Sequence, residues 1–352
     1  VNTSGQVGLF LSSAGTAITD FHTTYNSGAN TLTITAATSG TLLTAPAAGI
    51  AGIIINGSTD TITLDLNTLA NFAGLVIVGN SGLDSVTIGS GGVDLSAVTT
   101  GSANQSFTAN ILGTSNSTSA LVLTNAIKTK GTAATYLSAG TIDGSGLITT
   151  PSITLLANTG IGNTTALSLA SQAIAADSST GEIVINNASA SAVTVSSLTT
   201  KETTSGLGQL KIIQFAQTGG GDVTFSNVST VGTAAGSGSG EIELSNAGNL
   251  IVGAGDVVSD GVSNIYIQTT TLGNIVLNGN VDASRGDGAI SVKSAGSISG
   301  TGALISGLNN GRLDDLTAGT GIDVKTQGLD FSNANISTTT GDIIIENTTS
   351  IN

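Results

Sequence analysis

Through its second half the chain alternates apolar and polar residues in short runs, each introduced by Gly and usually an acidic or amide residue. The phrase reads GEIVINNAS at Gly181, GDVTFSNVS at Gly221, GEIELSNAG at Gly240, GNIVLNGNV at Gly273 and GDIIIENTT at Gly341. Weaker copies are GAISVKSAG at Gly288 and GIDVKTQGL at Gly321. A period of two over a few residues, bounded by Gly and Asn, predicts a short strand between turns. Earlier segments carry the same signal: NTLTITAAT at Asn30, GIIINGS, DTITLDL, GLVIVGN, DSVTIGS and GVDLSAV between residues 51 and 98, LVLTNAI at Leu121 and GTIDGSGLI at Gly140. No amphipathic helix longer than about two turns is predicted. The best helical spacing is LDLNTLANFAGL, Leu64 to Leu75.

The phrase starts, from Gly181 to Gly341, are unevenly spaced. A coil of about 20 residues, with loops of varying length, reproduces that series as a solenoid. A single coil cannot bury its apolar face; coils stacked at about 4.8 Å can. Were the whole chain coiled, about 17 coils would make a rod of about 80 Å. The predicted inward residues are Ile183, Ile185, Val193 and Val195 in one coil and Ile343 and Ile345 in another. Slipping any strand by one residue would turn its apolar set outward. Asn at strand ends is placed to stack on Asn of neighbouring coils and to satisfy backbone groups at the corners. Texture changes near Pro151, one of two prolines with Pro46. Residues 1–150 are therefore an amino-terminal β-rich region of irregular repeats, and residues 151–352 the regular array. The fold class is all-β, a β-solenoid.

Composition narrows the setting. Charged residues are only 9% of the chain, and Gly, Ser, Thr and Asn take their place. There is no Cys, which excludes disulfides and thiolate metal sites, and no Met. The segment therefore reads as processed or excised. No apolar run is long enough for a membrane-spanning helix. The formal net charge is −14, and no Lys or Arg precedes Lys128. The eight cations are scattered, so no basic patch for nucleic acid or an anionic membrane is expected. This composition suits an extracellular or cell-surface protein exposed to oxidants and proteases.

Leu155, Ala157, Ile161–Gly162, Leu167 and Leu169, followed by Ala176 to Asn186, form a longer pattern that returns loosely at Leu316–Asn347. The pattern resembles secreted bacterial β-strand-repeat proteins related to filamentous haemagglutinin and the autotransporter-like adhesins. The resemblance covers residues 150–352 and implies a right-handed parallel β-helix at the bacterial surface. The family pattern supplies no catalytic residues, and residues 1–150 lack its amino-terminal secretion signature.

Candidate chemistry is sparse. GNSGLDSVT, Gly79–Thr87, approaches a calcium β-roll repeat, with Asp84 as the metal ligand, but such a site needs ligands from successive repeats. Arg285–Gly286–Asp287 is an RGD tripeptide in a loop, an adhesion candidate. Asp314–Asp315 and Glu241/Glu243 are the candidate carboxylate pairs. The three tyrosines (Tyr25, Tyr136, Tyr266) are dispersed in sequence, which argues against an aromatic sugar platform. His22 is alone in a polar stretch. N-x-S/T triplets at Asn116, Asn163, Asn187 and Asn347 are candidate glycan acceptors. No nucleophile, metalloprotease or phosphate-loop motif is present.

The expectation is a secreted, non-catalytic structural or adhesive protein that forms a stiff rod or filament and needs no cofactor. Its partners would be further copies end to end, or more of a longer polypeptide, and a host or matrix glycan or protein. The alternatives are a surface-layer or sheath subunit of β-sandwich domains, and a polysaccharide-active β-helix enzyme.

Overall fold

The computed structural model describes residues 118–200, 210–230, 239–259, 264–284, 288–306, 312–327 and 334–347 with residue 331. Ahead of them it describes 7–10, 21–26, 31–36, 40–46, 53–56, 61–66, 75–78, 85–96 and 106–112 with residues 29 and 104. Among these residues every regular element is a strand, and nearly every pairing is parallel. The chain is an all-β solenoid in two compact units, Val1–Ser171 and Gln172–Asn352. Of the segment with the best helical spacing, Leu64–Leu75, the described ends are strands, Thr61–Leu66 and Leu75–Val78. The apolar positions there serve an alternating pattern, and residues 67–74 lie outside the described set.

In the first unit, apolar residues stack in columns from coil to coil. One column runs Leu66, Val93, Ile127, Ile148, Leu169. A second runs Ile62, Val86, Leu121, Ile142, Ile161. A third passes Ala109, Leu137 and Leu155. From Val86 onward these side chains are almost fully buried. One departure from parallel pairing occurs here. Phe21–Asn26, Thr31–Ala36 and Gly40–Pro46 form an antiparallel meander, joined to Thr61–Leu66 by parallel pairing of its first strand. Short connections permit only antiparallel neighbours. Asn26 Oδ1 accepts the Ala29 N–H at 3.0 Å, stabilising the first turn.

The second unit has three such faces. The first stacks Ile183, Ile213, Ile242, Ile265, Ile290 and Leu313. The second stacks Val193, Val223, Leu250, Ile275, Ile298, Ile322 and Ile343. The third stacks Leu198, Val228, Val257, Val281 and Leu304, then Thr326. Phe215 of the first face and Phe225 of the second meet edge to face in the core, centroids 5.3 Å apart.

These registers explain the ragged spacing of the repeated phrase. The copies at Gly181, Gly240 and Gly288 open strands of the first face; those at Gly221, Gly273, Gly321 and Gly341 open strands of the second. The phrase marks the start of a strand, and the chain uses it on two faces. The coil is accordingly longer than the sequence pattern suggests over most of the unit. Ile183 pairs with Ile213 and Ile265 with Ile290; the step shortens toward the last coils, where Ile322 pairs with Ile343.

Ile183, Ile185, Val193 and Val195 are buried, as their alternation requires. Ile343 is not: it is 44% exposed, and Ile344 is 50% exposed. Ile345 is half-buried. The strand Ile343–Asn347 pairs on one side with Gly321–Gln327, and among the described residues no strand covers its other side. Alternation sets which side of a strand faces the stack, but burial also needs a coil on both sides.

Corners are held by side-chain ladders. Asn249 donates its backbone N–H and its side-chain amide to Asp222 Oδ1. Asn274 donates its N–H to Asn249 Oδ1, and Ser297 donates its N–H and hydroxyl to Asn274 Oδ1. Asp256, Asn280 and Ala303 repeat the device. Inside the stack, Asn187 Nδ2 donates to Gln217 Oε1 at 2.8 Å. Asn187 is fully buried, which removes it as a glycan acceptor in the folded chain. Gly273 shows why Gly opens the phrase: its φ is +118°, and an added Cβ would lie 2.3 Å from the Gly248 carbonyl oxygen.

Candidate functional site

The outward residues of the first face form ladders parallel to the buried ones, because successive residues of a strand point to opposite sides. One outer ladder reads Gln214, Glu243, Tyr266, Ser291, Asp315, Asn335. Beside it runs Ser245, Gln268, Lys293, Thr317, Ser337. Where the two pass the strand Ile265–Thr269 the surface sinks into an open depression of about 270 Å³, lined by Glu241, Glu243, Tyr266, Gln268, Ser291 and Lys293. Ser291, small and buried, leaves the space between Tyr266 and Asp315.

The charges in and beside this depression are unevenly compensated. Lys293 Nζ lies 2.9 Å from Asp315 Oδ2, and Asn335 Nδ2 donates to Asp315 Oδ1 at 3.1 Å. The hydrogen bond from Lys293 holds the Asp315 carboxyl below its ordinary range, with smaller help from Asn335 and Ser291. Glu243 Oε2 accepts from Gln214 Nε2 at 2.7 Å. Among the described residues no cation pairs with Glu241 or Glu243. Partial burial, then the charge of Glu243, pushes the Glu241 carboxyl above its ordinary range.

Of the carboxylate pairs, the structure brings Glu241 and Glu243 into this depression, sets Asp315 at its edge and separates Asp314 from it. A register shift between Ile290 and Ser291 leaves Asp314 unpaired between Leu313 and Asp315. Asp314 then takes Arg312, whose Nε is 2.5 Å from Asp314 Oδ1, while Asp315 takes Lys293. Each is engaged by its own cation. Tyr266 stands directly beside Glu243 on the next coil. Tyr266, Gln268 and Lys293 become readable as site residues only when their partners on the neighbouring coils are known.

Asp84 lies outside the described residues, as do Arg285, Gly286 and Asp287. The tripeptide follows the strand Val281–Ala283 and precedes Ala289–Ser294. Asn116 is also outside the described set. Asn163 is exposed, with its amide donating to the Thr159 carbonyl at 2.8 Å. Asn347 ends the last described strand. His22 sits in the meander, opposite Thr35. Among the described residues no three of His, Cys, Asp and Glu assemble as metal ligands, and no helix is long and apolar enough to cross a membrane.

Compared with family models, with curated proteins and with solved structures, the chain gives no match in any of the three.

Proposed function

We propose that the protein is a non-catalytic structural and adhesive repeat protein, working outside the cell, whose outer sheet face makes contact with a matrix or surface polymer. The observation that carries this reading is the in-register outer ladder from Gln214 to Asn335, in which amides and carboxylates recur on either side of Tyr266 with a shallow depression among them. Such a surface suits an extended partner better than an engulfed small molecule, since ligand pockets that enclose their guests are deeper and largely apolar. The repeat texture, the scarcity of charge and the lack of Cys support the surface-protein kinship and an extracellular setting. Ile343 and Ile344, exposed on a strand that among the described residues is covered on one side alone, suit a further coil there, from a longer polypeptide or from a second copy.

The second reading is a polysaccharide-active enzyme, favoured by one observation: Glu241, with its raised carboxyl, beside Glu243 in an open groove. One experiment separates the two. Beads coated with the protein are exposed to matrix proteins and to a panel of polysaccharides, with retention and new sugar ends both recorded. Retention without cleavage is expected. Cleavage that disappears in E241Q would replace the adhesive reading with the enzymatic one.

A further inference from the structure

The geometry points to a saccharide with free amino groups, an amino-sugar polymer not fully acylated, as the ligand of the depression at Glu241, Glu243, Tyr266, Gln268 and Ser291. This names the partner class of the contact face and rests on the adhesive reading above.

Three features select that chemistry. First, the charge is one-sided. Lys293 is held by Asp315 at 2.9 Å, so the cation at the rim is already compensated, whereas the two glutamates have no cation among the described residues. An ammonium placed between them would form charge-assisted hydrogen bonds, and a polyanion would be repelled. Second, Tyr266 is the register neighbour of Glu243, so a cation bound at the carboxylate lies near an aromatic ring as well. Third, Gln268 adds an amide, which both donates and accepts, whereas the buried Ser291 hydroxyl already serves Asp315. A sugar ring bearing hydroxyls beside its amine uses all of these. A lysine side chain carries one amine on an apolar stem and leaves Gln268 without a new partner. The depression is open, so a chain can lie across it and present successive rings. The wider field agrees: the chain carries a formal charge of −14, which draws a polycation toward the surface.

The test uses the whole chain and isothermal calorimetry at about pH 6, on the acid side of the usual range of a free amine. The probes are glucosamine oligomers, the matching N-acetylglucosamine oligomers, and lysine oligomers of the same length. Glucosamine oligomers are expected to bind, and both comparators to bind more weakly. The double variant E241Q/E243Q should weaken glucosamine binding by about tenfold or more, and Tyr266→Leu by severalfold, with Tyr266→Phe close to wild type. Far-ultraviolet circular dichroism and melting of each variant establish that it is folded. Equal binding of the acetylated oligomer would overturn the proposal. So would lysine oligomers binding as tightly and without regard to Tyr266, which would indicate only a diffuse acidic surface. If glucosamine oligomers fail while coated beads still hold to other polymers, this proposal falls and the adhesive reading stands; if both fail, the adhesive reading falls too.

Discussion

Asn249 gives two hydrogen bonds to one oxygen of Asp222: its backbone N–H reaches Oδ1 at 3.2 Å and its side-chain amide at 2.9 Å. Asn249 Oδ1 in turn accepts the Asn274 N–H of the next coil at 2.8 Å. The side chain therefore ties three coils at one corner. Asn249→Ala should cost about 1–3 kcal/mol, because it removes one donor and leaves the Asn274 N–H without its acceptor. Asn249→Asp keeps the acceptor but sets a carboxylate against Asp222. It should be the less stable of the two at neutral pH. Urea unfolding at pH 7 checks the order; an Asp variant as stable as wild type would count against the ladder.

The core contact between Phe215 and Phe225 joins two faces of one coil at 5.3 Å. Phe225→Ala should destabilise the second unit by about 3–5 kcal/mol, the range for emptying a large aromatic site. Ile344→Ala, on a side chain 50% exposed, should cost far less. Differential scanning calorimetry on the two variants compares them.

Gly220 and Gly273 separate two reasons for glycine. Both have positive φ, +83° and +118°, but an added Cβ meets nothing at Gly220 and the Gly248 carbonyl at Gly273. Gly220→Ala should cost about 1–2 kcal/mol, the penalty for a left-handed residue with a side chain. Gly273→Ala should cost clearly more, since backbone of the neighbouring coil must move. Equal losses in thermal unfolding would show that the coils pack less closely than described.

The two shifted carboxyls act on stability with opposite sign. Asp315 is held low by Lys293, so its contribution is present at neutral pH and is lost as pH falls through the folded value. Glu241 is pushed up by burial and by Glu243, so the folded chain binds its proton more readily than the unfolded chain. Its ionisation therefore weakens folding as pH rises from acid toward neutral. Asp315→Asn should lower stability at pH 7 and converge on wild type in acid. Glu241→Gln should raise stability slightly at pH 7 and lose that advantage in acid. Both groups are half-buried and still touch solvent, so the effects are small. Melting temperatures between pH 3 and pH 7 give both curves.

Much of the second unit was legible in the chain itself. Alternation at Ile183, Ile185, Val193 and Val195 is enough to predict the buried side, since period two leaves one apolar face. Asn as a corner residue was equally readable. The coil length was not, because the same Gly-led phrase opens strands on two of three faces and its spacing mixes parts of a turn with whole ones. Ile343 shows a second limit: its pattern matches Ile183, but burial depends on what lies above it. The site suffers from the first limit. Glu241 and Glu243 are close in sequence and could be singled out. Tyr266 and Lys293 reach them only through registers across coils of unequal length.

The parallel, in-register stack is tested most directly by a distance along it. The chain has no Cys, so Gln214→Cys with Asn335→Cys places two spin labels without interference. These residues lie on one outer ladder five strand steps apart. Double electron–electron resonance should give a single narrow distribution centred at about 24 Å, five times the spacing of paired strands. A broad distribution, or one centred well away from that distance, would contradict the stack and the contact face built on it.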